Sequence, residues 1–230
     1  MSEVLDGRQV QRHAPIREQV ATILRDAIVE LRLPPGRLLI ERELCEMTQA
    51  SRPSVREALR QLEAEGLVES LSGKGTIVAV MSPEVAVHTL EVRVELERLA
   101  VELFIKNATQ EHRLAFRAAS DALRVALERG EGASLETIRA MNRVYEVLLD
   151  GSGNPTLAEM VNLLQRRVTQ LRALALEQPG RAAQSLVEFE AMADSLERGD
   201  VKSARSAAAF HVQQEARVAL AMLAGDRPAR

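Results

Sequence analysis

The stretch LPPGRLLIERELCEMTQASRPSVREALRQLEAEGLVE, Leu33 to Glu69, reads as two helices with a tight turn between them. Prolines and glycine in "LPPG" stop whatever helix precedes them. A short helix then runs from Glu41 to about Met47, and "TQAS" breaks it. Ser51 is a good N-cap for the next helix, and Pro53 is tolerated in a first turn, where its missing N–H has no intrahelical partner. Val55, Ala58, Leu59 and Leu62 repeat at i, i+3, i+4, i+7, which makes one apolar stripe. Gly66 is placed to end the helix. Arg52, Arg56 and Arg60 recur at a spacing of four beside that stripe, in a chain whose formal net charge is −3.

Upstream, Ile16, Val20, Ile23, Leu24, Ala27, Ile28 and Leu31 keep a helical period. Downstream, "LVES" and "TIVAV" flank "LSGKG", the pattern of a β-hairpin with a glycine-rich tip. "MSPE", Met81 to Glu84, reads as a linker. From there on every periodic segment is helical: 84–107, 109–130, 134–150, 155–177, 181–198 and 200–224. The expected fold is mainly α: an N-terminal winged helix-turn-helix with a small β-hairpin wing over residues 1–80, a linker at 81–84, and a C-terminal all-α helical bundle over 85–230. Residues 1–12 are polar and patternless, and mobility is expected there and over the last few residues.

Composition narrows the function. Aromatics are 2% of the chain, with no Trp, so stacking platforms for single-stranded nucleic acid are poorly supplied. The single Cys45 excludes an internal disulfide and any site needing two thiolates. No charged-then-apolar leader and no apolar run near the length of a membrane span is present, so a cytoplasmic protein is expected. Residues 1–80 carry 11 Lys+Arg and 12 Asp+Glu, yet the basic side chains gather on one helix surface. In a helix-turn-helix with a wing, the second helix of the pair enters the DNA major groove, and its N-terminus favours phosphate. An arginine-rich helix face with nearby glutamates is also a common solvated surface.

The run from Ile16 to Val80, with its PPG turn, "IERELCE", "SRPSVREAL", "LEAEGLV" and "GKGT", resembles the GntR family of bacterial transcription regulators. The all-α remainder resembles the FadR-type (FCD) subfamily. This resemblance implies a homodimeric regulator, more often a repressor, that binds a double-stranded DNA operator and answers to a small organic metabolite. By position it implies DNA contacts at Arg42, Ser51, Arg52, Ser54, Arg56, Gly73, Lys74 and Gly75. Arg60 is set aside as helix surface. Gln49 stands where the family usually has glycine, at an expected cost of about 1 kcal/mol if its φ is positive.

In the bundle the resemblance puts Arg93 at a ligand-facing arginine. Many FCD proteins hold a divalent metal, zinc or nickel, with an Asp and three His. Here Asn142, Glu146 and Phe189 replace three of those ligands and only His211 is kept. No metal is therefore the favoured expectation; if one is retained, Glu146 and His211 are its ligands. Three readings stay open: direct effector recognition by Arg93, Asn142, Glu146, Phe189 and His211, a metal with rearranged ligands, or a vestigial pocket that only dimerises. Phe189 and Glu146 point to an effector less acidic than a hydroxy acid or dicarboxylate. His88 and His112 read as surface or helix-end residues. A helical bundle with Glu, His and Asn can in principle do acid–base or metal chemistry, but no nucleophile triad or phosphate-binding loop is present, and an enzyme is not expected.

Overall fold

The computed structural model describes residues 15–73, 75–129 and 134–223, apart from the side chains of Gln170 and Leu223. The expectations for residues 1–12, Lys74 and the end of the chain fall outside that range.

The N-terminal domain is α1 (Ile16–Val29), β1 (Leu38–Leu39), α2 (Glu41–Thr48), α3 (Arg52–Ala64), β2 (Val68–Leu71) and β3 (Gly75–Val78). Val20, Leu24 and Ile28 of α1, Leu44 of α2, and Val55, Leu59 and Leu62 of α3 close one core with Val68 and Val78. The strands form an antiparallel sheet in the order β1-β3-β2, so the wing has a third strand that the sequence pattern did not show. Leu38 pairs with Ile77 and Leu39 with Thr76; two residues are too few to display an alternation. Helix α1 also ends earlier than its apolar stripe suggested, because Leu31 turns into the left-handed region at φ 57°. Ile16 and Ile23 of that stripe are exposed.

Helix α3 ends as Gly66 predicts. The Leu67 N–H reaches the Leu62 carbonyl at 2.9 Å, the Gly66 N–H reaches Glu63, and Gly66 takes φ +72°. This paired closure satisfies carbonyls that the helix end would otherwise leave bare. Gln49 does adopt a left-handed conformation, φ 53°, and its side-chain amide donates to the Glu46 carbonyl at 2.7 Å.

The C-terminal domain is α4 (Pro83–Asn107), α5 (Gln110–Glu128), α6 (Leu135–Ser152), α7 (Pro155–Leu176), α8 (Arg181–Arg198) and α9 (Val201–Leu223). Ser82, Ser134 and Asn154 cap α4, α6 and α7 through their side-chain oxygens, and Thr109 forms a capping box with His112 at the start of α5. Helix α6 runs through Gly151 and Ser152, two residues past its expected end. A Cβ on Gly151 would lie 2.5 Å from the Phe104 ring, so this glycine serves a close helix crossing rather than a turn.

The two domains meet through charge. Arg25 of α1 donates to both oxygens of Glu65 at 2.7 and 2.5 Å, and Arg166 of α7 approaches the same carboxylate at 3.4 Å. Arg167 Nε donates to the Glu65 carbonyl at 2.8 Å, at the very end of α3. Arg139 of α6 donates to Glu30 at 2.6 Å.

Gly151→Ala should force Phe104 and α4 to shift, at a cost of about 1–3 kcal/mol by overpacking. Chemical denaturation of the variant measures it; an unchanged midpoint would mean that the crossing is loose.

Candidate nucleic-acid interface and effector site

The N-terminal turn of α3 is laid open. The Ser51 hydroxyl accepts the Ser54 N–H at 3.4 Å and sits 3.0 Å from the Ser54 hydroxyl. Arg52 is exposed and makes no hydrogen bond or salt bridge among the described residues; it acts on Glu41 only through space. Arg42, exposed at the start of α2, is equally uncommitted among them. Free N–H groups at a helix start, with two unpaired guanidinium groups nearby, suit phosphate oxygens. Arg56 differs: its Nε donates to both Glu41 oxygens at 2.8 and 3.0 Å. That bond holds the Glu41 carboxyl below its ordinary range. Arg60 pairs with Glu57 at 2.6 Å, farther along the helix. Across the sheet, Gly73 and Gly75 take φ +74° and +91°, and a Cβ at Gly73 would meet nothing. The wing tip is thus open to close backbone approach.

Inside the bundle lies a second polar centre. Arg93, with no exposed surface, donates to Glu97 at 2.6 Å, to Glu215 at 2.9 and 3.3 Å, and to the Tyr145 hydroxyl at 3.1 Å. Tyr145 donates on to Glu97 at 3.1 Å. Arg172 of α7 binds Asn142 at 3.2 Å and the Gln165 side chain, and Gln165 donates to Glu97 at 3.1 Å. At the other end Arg181 grips both oxygens of Glu188 at 2.9 and 2.8 Å, and His211 Nδ1 lies 2.6 Å from the same carboxylate. The Phe189 ring packs on His211 with centroids 4.4 Å apart. Three arginines and three glutamates balance there. Burial alone would raise the Glu215 carboxyl, but Arg93, Arg172 and His211 pull it down to about 2. Burial and Glu97 push the Tyr145 phenol up.

Of the residues expected to line one pocket, Arg93 and His211 lie in this network, Phe189 flanks it and Asn142 touches its edge. Glu146 does not join them: it is exposed and pairs with Arg143 one turn back, at 3.1 Å. Glu97, Tyr145, Gln165, Arg172, Arg181, Glu188 and Glu215 were not singled out from sequence. The one available signal was the i, i+4 spacing of Arg93 with Glu97 and of His211 with Glu215. Nor are Glu146 and His211 brought together as a ligand pair. Around His211 the donors are already engaged, since Arg181 occupies both Glu188 oxygens and Arg93 both Glu215 oxygens. A metal would have to displace arginines, and no His/Cys/Asp/Glu group that could hold one occurs among the described residues. The residues present do not fit a cation.

Fold and site together define a transcription regulator: a reader of duplex DNA carried by a second, all-helical domain. The chain belongs to the gntR family of bacterial regulatory proteins; that family model matches residues 16–78, and the FCD domain model matches residues 88–214. It is 30% identical over 205 residues to the probable D-xylose utilization operon transcriptional repressor of Paenarthrobacter nicotinovorans, covering 85% of this chain and 87% of that one. It is 28% identical to the HTH-type transcriptional regulator McbR of Escherichia coli K12, over 71% and 73% of the two chains. The solved structure of E. coli McbR/YncC shares the fold, with a TM-score of 0.78 over 93% of this chain and 99% of that one, at 23% identity. These relatives are transcription regulators and not enzymes. No described helix is long and apolar enough to cross a membrane.

Glu41→Gln should free Arg56 and remove a negative charge beside it. Affinity for duplex DNA should rise several-fold at low salt, read by fluorescence anisotropy across a salt series; a fall would show that Glu41 aims Arg56 at the DNA. Glu215, depressed in the folded state, contributes stability that is present above its ordinary value of 4.5 and lost as pH falls toward about 2. Urea unfolding over that interval should show a steady loss, and a flat profile would contradict the buried ion cluster.

Proposed function

We propose that the protein is a homodimeric, cytoplasmic repressor whose two winged helices read the half-sites of one operator and whose bundle binds a small organic metabolite. The observation that carries the DNA reading is the start of α3, where Ser51 and Arg52 are exposed, Ser54 is partly so, and Arg52 has no hydrogen-bond or salt-bridge partner among the described residues, while Val55, Leu59 and Leu62 seat the helix. Gly73 and Gly75 supply the second reach through the wing. The repressor assignment draws support from the name of the Paenarthrobacter relative. Support for the dimer comes from α4, where Val85, Val92 and Leu99 are exposed at a spacing of seven and so share one face. Three buried nitrogens, Arg172 Nε, Arg181 Nε and His211 Nε2, lack a hydrogen-bond partner among the described residues. Buried donors without partners are costly, so acceptor atoms of ordered water suit this centre, and the Asn142, Tyr145 and Gln165 edge beside it is what the bundle offers an effector. Glu146 faces solvent and pairs with Arg143, so it gives no ground for a weakly acidic effector.

The effector acts by binding the DNA-competent and released geometries unequally, and only by as much as those affinities differ. Arg52→Ala should weaken operator binding by about 1–3 kcal/mol if Arg52 meets a base edge. Mobility shifts on the DNA upstream of the protein's own gene test both the reading and the residue; unchanged affinity removes Arg52 from the interface, and no shift with wild type removes the regulator reading.

A further inference from the structure

We propose that the effector sits in the groove between α1 and the α6–α7 pair, in contact with both domains, and that it is a small, uncharged, hydroxyl-rich molecule. This inference rests on the regulator reading and deepens it.

The centre of the bundle is largely spent on itself: Arg93, Arg172, Glu188, His211 and Glu215 are each no more than 7% exposed and pair with one another. Immediately beside it, a groove of about 340 Å³ opens between the domains, within the range of small-molecule sites. Its inner wall is the edge of the ion network, formed by Tyr145, Gln165 and Asn142. Its outer wall is α1, through Thr22, Arg25 and Asp26.

The lining has hydrogen-bonding capacity to spare. Among the described residues Asn142 uses only its carbonyl oxygen, on Arg172, and its amide N–H groups make no hydrogen bond. Asn162, half-buried on α7, makes no side-chain hydrogen bond among the described residues. Asp26 and Thr22 add acceptors and a hydroxyl from the opposite side. A wall that offers both donors and acceptors matches hydroxyl groups, each of which is both. Charge excludes the acidic alternatives. The groove is lined by two arginines, Arg25 and Arg166, and two carboxylates, Asp26 and Glu146, which sum to zero. Arg25 holds Glu65 through two nitrogens and Arg166 approaches it at 3.4 Å, so each arginine of the groove already has a counter-charge.

The position explains how binding reaches the DNA. A ligand held by Thr22 and Asp26 on one side and by Asn142 and Asn162 on the other binds only while α1 lies on α7. It therefore favours that arrangement over any in which the winged helix has swung away. Arg25 and Arg166, on the same groove, grip the last residue before the α3 closure.

The test is isothermal calorimetry on the full chain with a panel of aldopentoses, aldohexoses and pentitols, alongside succinate and inorganic phosphate. The expected result is saturable binding of at least one neutral polyol, weakened at least tenfold by Asn162→Leu and several-fold by Thr22→Val, and a change in operator affinity when that polyol is present. Both substitutions lie on partly or fully exposed residues, and circular dichroism verifies that the variants fold. Binding of succinate or phosphate alone overturns the ligand class, and polyol binding that ignores both substitutions overturns the site. If no probe binds while operator DNA is still bound, this inference fails and the regulator reading stands; if operator DNA is not bound, the regulator reading itself fails.

Discussion

An arginine with no exposed surface must bring its counter-charges with it, and most of the bundle is arranged around that demand at Arg93. An unpaired guanidinium in the interior would cost far more than a domain can spare. Glu97 meets it from the same helix, one turn on, and Glu215 from α9, while the Tyr145 hydroxyl of α6 accepts from a further N–H. Three helices are thereby set in register by one side chain. Such a cluster is better understood as a specification than as a gain in stability. Apolar residues of similar shape can be as stable, whereas deleting one partner of a buried pair costs about 3–5 kcal/mol.

The same network reaches the DNA-binding domain through α7, beside the Arg139–Glu30 bond of α6. On α7, Gln165 and Arg172 turn inward to Glu97, Asn142 and Glu215, while Arg166 and Arg167 turn outward to Glu65 at the end of α3. Gly66 belongs to this joint as well, since a Cβ there would lie 2.8 Å from the Arg167 guanidinium. A shift of α7 by a fraction of a turn would change the partners at both ends. The two domains are thus joined by hydrogen bonds that have directions, not by apolar contact alone, and directional contacts are the kind that two conformations can satisfy differently.

The fold was legible where local chemistry decides. Ser51 caps α3, Gly66 ends it, and its apolar stripe points inward as its spacing requires. It was less legible where neighbours decide. β1 exists because β3 offers it an edge, and Gly151 stays helical because Phe104 needs the space. The exposed arginines at the start of α3 could be read because a helix N-terminus keeps its chemistry without tertiary context. Arg56 is the partial exception, since only the fold shows that Glu41 holds it.

The amino-acid pattern alone determined the order of the helices, the winged helix-turn-helix and the all-helical second domain, because caps, breakers and periodicity act within a few residues. Only the tertiary structure decided which charges are buried. Arg93–Glu97 and Arg124–Glu128 have the same i, i+4 spacing; the first pair lies in the heart of the bundle and the second on its surface. Spacing places two side chains on one helix face, but whether that face meets water or other helices depends on segments far away in the chain. For the same reason Glu146, a pocket residue by position, stands on the rim, and the groove between α1 and α7 belongs to neither domain's sequence taken by itself.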